Sequence, residues 1–273
     1  MNLTAEEVRR FREKIRRFYR SHGRVLPWRK TTNPYRITVS EIMLQQTQVE
    51  RVVRKYPEFI REFPDFTALA RASLAAVIAR WQGMGYNRRA IALKRLAENV
   101  VADHGGRLPD TPEALVTLPG IGPATAASIT VFAFNRPVVF IETNIRRVFI
   151  HHFFEDTIGV TDRDLLPYVE RTLDRKNPRD WYNALMDYGA MLAGRVPNPN
   201  RRSAHYTRQS RFEGSNRQVR GQVLKLLAEN GKISKVAFRK RLDVPVDRLE
   251  AVLAGLETEG FIQKTLRSYT LKH

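Results

Sequence analysis

Between residues 4 and 192 the apolar residues fall at helical spacing almost throughout. The one run that does not, Val138-Val139-Phe140-Ile141, is too short to build a sheet. That pattern confines the first two thirds of the chain to an all-α fold. Thr4 and Glu7 stand as a capping box ahead of Val8, Phe11, Ile15, Phe18 and Tyr19. Pro34-Tyr35 precedes a helix expected over residues 38–55, and two more are expected over 67–81 and 87–104. Thr111-Pro112-Glu113 supplies an N-cap, a proline at the first helical position and an acid in the first turn. Gly122-Pro123 opens a helix over 122–134, and helices over 143–154, 161–173 and 178–192 complete the set.

The pattern changes at residue 195. Residues 195–217 hold six arginines and one glutamate, with two prolines, three asparagines and no apolar period, which reads as a basic, loop-like connector. Helices are expected over 217–229, 234–241 and 247–259. Residues 260–264 and 267–271 could then pair as a hairpin. Three helices and a terminal hairpin make a winged helix-turn-helix pattern, with 247–259 in the recognition-helix position. Three parts are expected: a helical domain over 1–194, a basic linker over 195–216 and a small α+β module over 217–273.

Composition narrows the partners. Lys and Arg number 47 against 28 Asp and Glu, a net charge of +19. Such an excess favours a polyanion, because each phosphate neutralised by a basic side chain releases a condensed counterion. No apolar run is long enough to span a bilayer, and the first residues lack the apolar core of a signal peptide, so a cytoplasmic protein is expected. The sequence contains no cysteine, which excludes disulfides, thiolate zinc sites, iron–sulfur clusters and cysteine nucleophiles. The six histidines show no metal-ligand spacing. No metal and no cofactor is expected.

Three features carry chemistry. Leu118-Pro119-Gly120-Ile121-Gly122 joins two helices through a tight turn. Its backbone N–H groups could face a phosphate, although the pattern also fits an ordinary helix–helix turn. Glu142 follows the apolar run Val138 to Ile141, where an acid is costly unless it has a task; alternatively it caps the helix that begins at Thr143. On the helix expected over 38–55, Glu41, Gln45 and Gln48 fall at i, i+4 and i+7 and so share a face. A carboxylate among glutamines suits hydrogen bonding to base edges.

The combination resembles the helix-hairpin-helix DNA glycosylases, most closely the adenine glycosylases of the MutY family, over most of residues 24–193. The resemblance rests on Leu26-Pro27-Trp28-Arg29, Ser40-Glu41-Ile42-Met43-Leu44-Gln45-Gln46-Thr47-Gln48-Val49, Gly83-Met84-Gly85-Tyr86, the Leu118 to Gly122 hairpin and Asn144-Ile145-Arg146-Arg147-Val148. It implies a monomeric enzyme that acts on double-stranded DNA carrying a mispaired base, flips that base out and cleaves its glycosidic bond. Glu41 then protonates the leaving adenine, Glu142 stabilises the oxocarbenium-like sugar, and Asn144 holds that carboxylate or a phosphate. Tyr86 matches the residue that wedges into the duplex. Trp28, Arg29, Gln45, Gln46, Gln48 and Asp187 are candidates for the base pocket. Leu118, Gly120, Gly122, Thr125, Arg146, Arg201 and Arg202 are candidates for DNA contact.

Three departures stand out. The family normally has aspartate where Glu142 stands. Ala124 occupies the position of the Schiff-base lysine of bifunctional relatives, so no strand cleavage is expected. The four-cysteine cluster loop that follows Leu192 in many relatives is absent, leaving a clusterless member. Two other functions compete with adenine removal. One is a thymine or uracil glycosylase acting on G·T or G·U, since Leu185-Met186-Asp187-Tyr188 resembles that pocket helix. The other is a DNA-binding protein that has lost catalysis.

Overall fold

The computed structural model describes residues 3–207 and 211–272. Helix α1 (Ala5–His22) starts at the expected capping box, with Thr4 and Glu7 bonded reciprocally. A short 3-10 turn at Pro27–Lys30 leads to α2 (Pro34–Leu44), followed by α3 (Val49–Glu62), α4 (Phe66–Arg71), α5 (Leu74–Trp81) and α6 (Arg88–His104). Next come α7 (Pro112–Leu115), α8 (Pro123–Phe134), α9 (Thr143–Phe153), α10 (Asp162–Thr172) and α11 (Pro178–Arg195). A second 3-10 turn occupies Pro199–Arg202, inside the stretch read as loop-like. The C-terminal part carries α12 (Asn216–Asn230), β1 (Lys232–Ser234), α13 (Lys235–Arg241), α14 (Val246–Thr258), β2 (Ile262–Lys264) and β3 (Ser268–Leu271).

Two expected helices are each two helices. The helix expected over 38–55 stops at Leu44 and restarts at Val49, because Gln46 takes φ of 52°, a left-handed conformation that ends a right-handed helix. The helix expected over 67–81 breaks at Ala72-Ser73, where the Ser73 hydroxyl accepts from Ala76 N–H and starts α5 afresh. The terminal hairpin forms as expected, β2 antiparallel to β3, with Gln263 opposite Thr270. Sequence reading missed β1, three residues long, which pairs with the other edge of β3 to give the order β1-β3-β2.

The chain divides into two compact units, one of residues 1–37, 110–117 and 121–208, the other of 38–109, 118–120 and 209–273. In the first, α11 packs against α9, α1 and α8, and α9 packs against α10. Phe11 of α1 meets Phe149, Phe153 and Trp181 with ring centroids 5.1 to 6.0 Å apart. Helix α8 is buried around its whole girth from Ala126 to Ala133, which explains why it shows no polar face in the sequence. In the second unit, α6 packs on α4 and α5, and α12 packs on both α5 and α14. Phe59, Leu69, Trp81, Leu93 and Leu96 are fully buried there, as are Val223, Leu227, Phe238 and Leu256 near the sheet. Among the described residues no helix is long and apolar enough to cross a membrane.

Candidate active site

The first unit brings Glu142 and Asn144 together. Glu142 is the N-cap of α9: its Oε1 accepts from the backbone N–H of Asn144 at 2.7 Å and of Ile145 at 2.8 Å. Its Oε2 accepts from Asn144 Nδ2 at 3.2 Å. Capping therefore occupies one oxygen fully and leaves the other with a single partner. The residue keeps some accessible surface while its carboxylate sits deep in protein. Desolvation pushes its carboxyl above the ordinary glutamate range, against the pull of the two backbone N–H groups and of Arg147 and Arg146. Arg147 fixes the arrangement from below, donating to Asn144 Oδ1 and to the Gly189 carbonyl, both at 2.8 Å. Gly189 of α11 lies so close that a Cβ there would stand 2.4 Å from the Asn144 carbonyl oxygen. Asn200 donates to the Thr143 carbonyl at 3.0 Å.

Asp187 and Arg29, read as pocket candidates, are taken up by each other. Asp187 is 3% exposed, and each of its oxygens accepts twice. Arg29 bridges both oxygens at 2.8 Å, and Arg24 adds its backbone N–H at 2.8 Å and its Nε at 2.6 Å. Burial opposes this charge more than any other single influence. The bonds and charges of Arg29 and Arg24 together outweigh it and hold the carboxyl below the usual aspartate range. Trp28 is buried in the 3-10 turn beside them.

In the second unit Glu41 is half-buried on the last turns of α2. The end of the helix at Leu44 means that Glu41, Gln45 and Gln48 do not lie on one helix face: Gln45 is in the turn, and Gln48 is the N-cap residue of α3. Gln45 Nε2 donates to the Gly120 carbonyl at 3.4 Å, and Gln46 and Gln48 are exposed. The end of α2 is held by a residue that sequence reading missed. Arg89, buried on α6, donates through Nη1 to the carbonyls of Ile42, Met43 and Gln45 at 3.0, 2.9 and 2.5 Å. Its Nη2 donates to Thr47 Oγ1 and to the carbonyls of Met84 and Gly85 at 2.9, 3.1 and 3.1 Å. One guanidinium thus terminates the Glu41 helix and ties it to the turn that carries Tyr86. Desolvation is severe enough to pull its pKa down to about 10. Tyr86 itself is half-buried with φ of 47°.

The remaining candidates separate by environment. Leu118 is buried, whereas Gly120 and Gly122 are exposed. Gly120 has φ of 79°, and a Cβ there would come within 2.7 Å of Ala92 Cβ, so only glycine fits. Gly122 is the N-cap residue of α8, with Thr125 half-buried in the first turn. Arg146 is engaged by Asp162 in a two-pronged ion pair at 2.7 and 2.8 Å. Arg202 donates to the Glu155 carbonyl at 2.5 Å and to that of Ile150 at 3.5 Å, while Arg201 is exposed.

Known proteins resemble this chain over most of its length. A family model described as HhH-GPD superfamily base excision DNA repair protein matches residues 39–169. The adenine DNA glycosylase of Mycobacterium tuberculosis is 33% identical over 277 residues, covering 92% of this chain and 85% of that protein. The chain belongs to the HhH-GPD superfamily. A thymine/uracil-DNA glycosylase of Methanothermobacter thermautotrophicus is 29% identical over 194 residues, covering 70% of this chain and 88% of its own. A solved thermostable thymine-DNA glycosylase superposes with a TM-score of 0.62 at 27% identity, covering 71% of this chain and 91% of that one.

The segment after α11 is held without metal ligation by thiolates. A thiolate-held cluster does not fit a sequence without cysteine. The segment is tied instead by polar bonds: Val160 N–H donates to the Arg202 carbonyl and Ala204 N–H to the Val160 carbonyl, both at 2.9 Å. With the Asn200 and Arg202 side chains, these bonds seat the 3-10 turn against α9. A polar, Asn- and Arg-rich composition is the only signal of this in the sequence, and it is shared with many solvated loops.

Proposed function

We propose that this chain is a DNA glycosylase that extrudes a mispaired adenine from duplex DNA and hydrolyses its N-glycosidic bond, leaving an abasic site. The observation that carries this reading is the similarity to an adenine DNA glycosylase over 92% of the chain rather than over a shared core alone. Adenine leaves poorly as an anion, so the purine must take a proton as the bond to the sugar breaks. Glu41 is the acid for this step. Water then adds to the anomeric carbon and gives up a proton, which restores the Glu41 acid and leaves the sugar neutral.

Glu142 supplies the opposing charge. A desolvated carboxylate is costly with nothing beside it and strongly attracted to a cation that forms next to it. Its interaction therefore grows from ground state to transition state, which is what accelerates the chemical step. Asn144 donates to the oxygen that is not shared with the backbone cap, and Arg147 holds Asn144 in place. Tyr86 inserts beside the extruded base. Gly120 and Gly122 present backbone N–H groups to a phosphate. Alanine at position 124 cannot form a Schiff base, so strand cleavage is not part of the reaction. No cofactor or metal enters this scheme, and the enzyme acts as a monomer. We read residues 217–273 as a winged-helix module.

A second reading, removal of thymine or uracil opposite guanine, is favoured by the thymine-DNA glycosylase superposition. Those bases leave as stabilised anions and need Glu41 less. Base release from duplexes carrying A·G, A·8-oxoguanine, G·T and G·U, developed with alkali, separates the two. Release confined to adenine strands is expected. Release from thymine or uracil strands moves the protein to the pyrimidine branch, and release from none withdraws the catalytic reading.

A further inference from the structure

The Tyr86 turn and the C-terminal module lie in the same unit and are joined by side chains. Arg217, in the first turn of α12, donates to the Tyr86 hydroxyl at 2.5 Å, and its guanidinium lies 5.3 Å from the centre of the tyrosine ring. Arg88, two residues beyond Tyr86, makes a two-pronged ion pair with Glu259 at the end of α14, at 2.7 and 2.5 Å. Glu259 also accepts from Arg220 of α12 at 2.5 Å. Helix α12 packs on α5, the helix that leads into the turn. One arginine and one carboxylate of the module thus hold the turn, at Tyr86 and at Arg88, and Arg220 braces that carboxylate from within the module.

Tyr86 needs holding. Its φ of 47° is a left-handed conformation that a bulky residue keeps only when its surroundings impose it. Arg89 fixes the base of the turn through the Met84 and Gly85 carbonyls, and Arg217 fixes the far end of the side chain.

The module's own DNA-reading surface is poorly made by comparison. Helix α14, in the recognition-helix position, exposes Asp247, Glu250 and Glu257, of which Glu250 is paired with Lys235 and Arg239 of α13. Its single basic residue, Arg248, is occupied by Asn216 Oδ1 at 2.8 Å and the Gly214 carbonyl at 2.5 Å. A row of carboxylates repels phosphate.

We propose that the C-terminal module is an internal clamp that sets the Tyr86 turn for base extrusion, with Arg217 as the positioning residue, and that α14 does not read DNA. The proposal rests on the reading of Tyr86 as the inserted residue. It explains why a small module of winged-helix pattern can be basic overall and still carry acid on its presumed reading face: its work is done on its own chain.

The test uses the full chain with Arg217→Ala, Arg217→Lys and Tyr86→Phe, and duplexes with adenine or 2-aminopurine at the mispair. Arg217→Ala is expected to slow single-turnover base release by about tenfold or more, the scale of loss when a positioned group is released by a fraction of an ångström. The 2-aminopurine fluorescence that reports extrusion should fall with it. Affinity for undamaged duplex and its salt slope should not move, whereas a lost phosphate contact would lower that slope by about one. Arg217→Lys, which keeps the charge beside the ring, should recover part of the rate. Arg217→Ala should cost little more once Tyr86→Phe has removed the hydroxyl. Unchanged or faster release in Arg217→Ala, or a loss of duplex affinity matching the loss of rate, overturns the clamp. Hydrogen exchange of residues 82–90 is read on the same variants without substrate. Faster exchange in Arg217→Ala supports the clamp and unchanged exchange overturns it, even if the wild type proves to release no base and the glycosylase reading fails.

Discussion

Glu142 caps α9 through one oxygen while the burial around it lifts its carboxyl above the ordinary glutamate range. Its ionised form therefore costs the fold something that a neutral amide does not. The sign follows from the direction of the shift. Wild type bears no such cost below the unfolded glutamate pKa, bears a growing cost as pH rises from there, and bears all of it above the raised folded value. Glu142→Gln keeps an acceptor for both backbone N–H groups. It should match or exceed wild-type stability at pH 8 and lose that advantage toward pH 4, as read by urea midpoints. Base release should meanwhile fall by at least about a hundredfold; undiminished release would remove Glu142 from the reaction. Asp187 runs the other way. Its depressed carboxyl contributes stability that is present above the unfolded aspartate pKa and lost as pH falls through the folded one. Asp187→Asn leaves the largely buried Arg29, and the half-buried Arg24, against a neutral group and should cost about 3 kcal/mol at pH 7. The gap between mutant and wild type should close as pH falls through the lowered folded-state pKa of Asp187, where the wild-type carboxyl is itself protonated. Glu142 stood out in the sequence because an acid at the end of an apolar run is costly, and Asp187 only through the family resemblance. Their partners did not: one arginine among the chain's many carries no mark of being buried, and Gly189 looks like any helical glycine.

At the scale of elements, periodicity found nearly every helix and missed where they break. The apolar residues of α2 and α3, and of α4 and α5, continue in phase across each interruption, so a period of 3.6 sees one helix where the chain makes two. The breaks are decided by events that periodicity does not register: a left-handed Gln46 and a serine hydroxyl that captures a backbone N–H. Strand β1 escaped for a related reason, being three residues that pair only because β3 lies beside them. The break after Leu44 lets Arg89 take the carbonyls at the end of the helix that carries Glu41. Arg89→Met should fold less stably by about 3 kcal/mol, since several buried carbonyls lose a charged donor together. It should also slow base release beyond what stability explains when both are measured well below the melting temperature. Arg89→Lys should recover little, because an ammonium cannot span carbonyls from two segments as the planar fork does. Where α11 meets α9, Gly189→Ala should force the first turn of α9 outward. The expected cost is about 1–3 kcal/mol by thermal unfolding, with a loss of activity through Asn144 and Glu142. A mutant with full activity and stability would show that the contact relaxes freely.

Over the whole molecule the net charge of +19 and the enclosed carboxylate answer to different physics, and salt can tell them apart. Exposed Lys and Arg act on DNA through the released counterion atmosphere, which weakens steeply as bulk ions compete. If about six to ten phosphates are contacted, affinity for undamaged duplex should fall by about 10³–10⁵ between 50 and 200 mM salt. The attraction between Glu142 and a sugar cation forming against it acts over a few ångströms inside protein, well within the screening length of about 8–10 Å, and is screened far less. Base release measured in a single turnover at saturating enzyme should therefore stay within about threefold over the same salt range, while the enzyme concentration needed to reach saturation climbs. Two titrations at each salt concentration, one of binding and one of rate, decide the matter. A rate that holds while affinity collapses assigns the surface charge to capture and the buried carboxylate to chemistry. A rate that falls in step with affinity instead implicates exposed ion pairs in the chemical or extrusion step. Arg88 with Glu259, the exposed pair beside the Tyr86 turn, would then be the first to exchange for neutral residues.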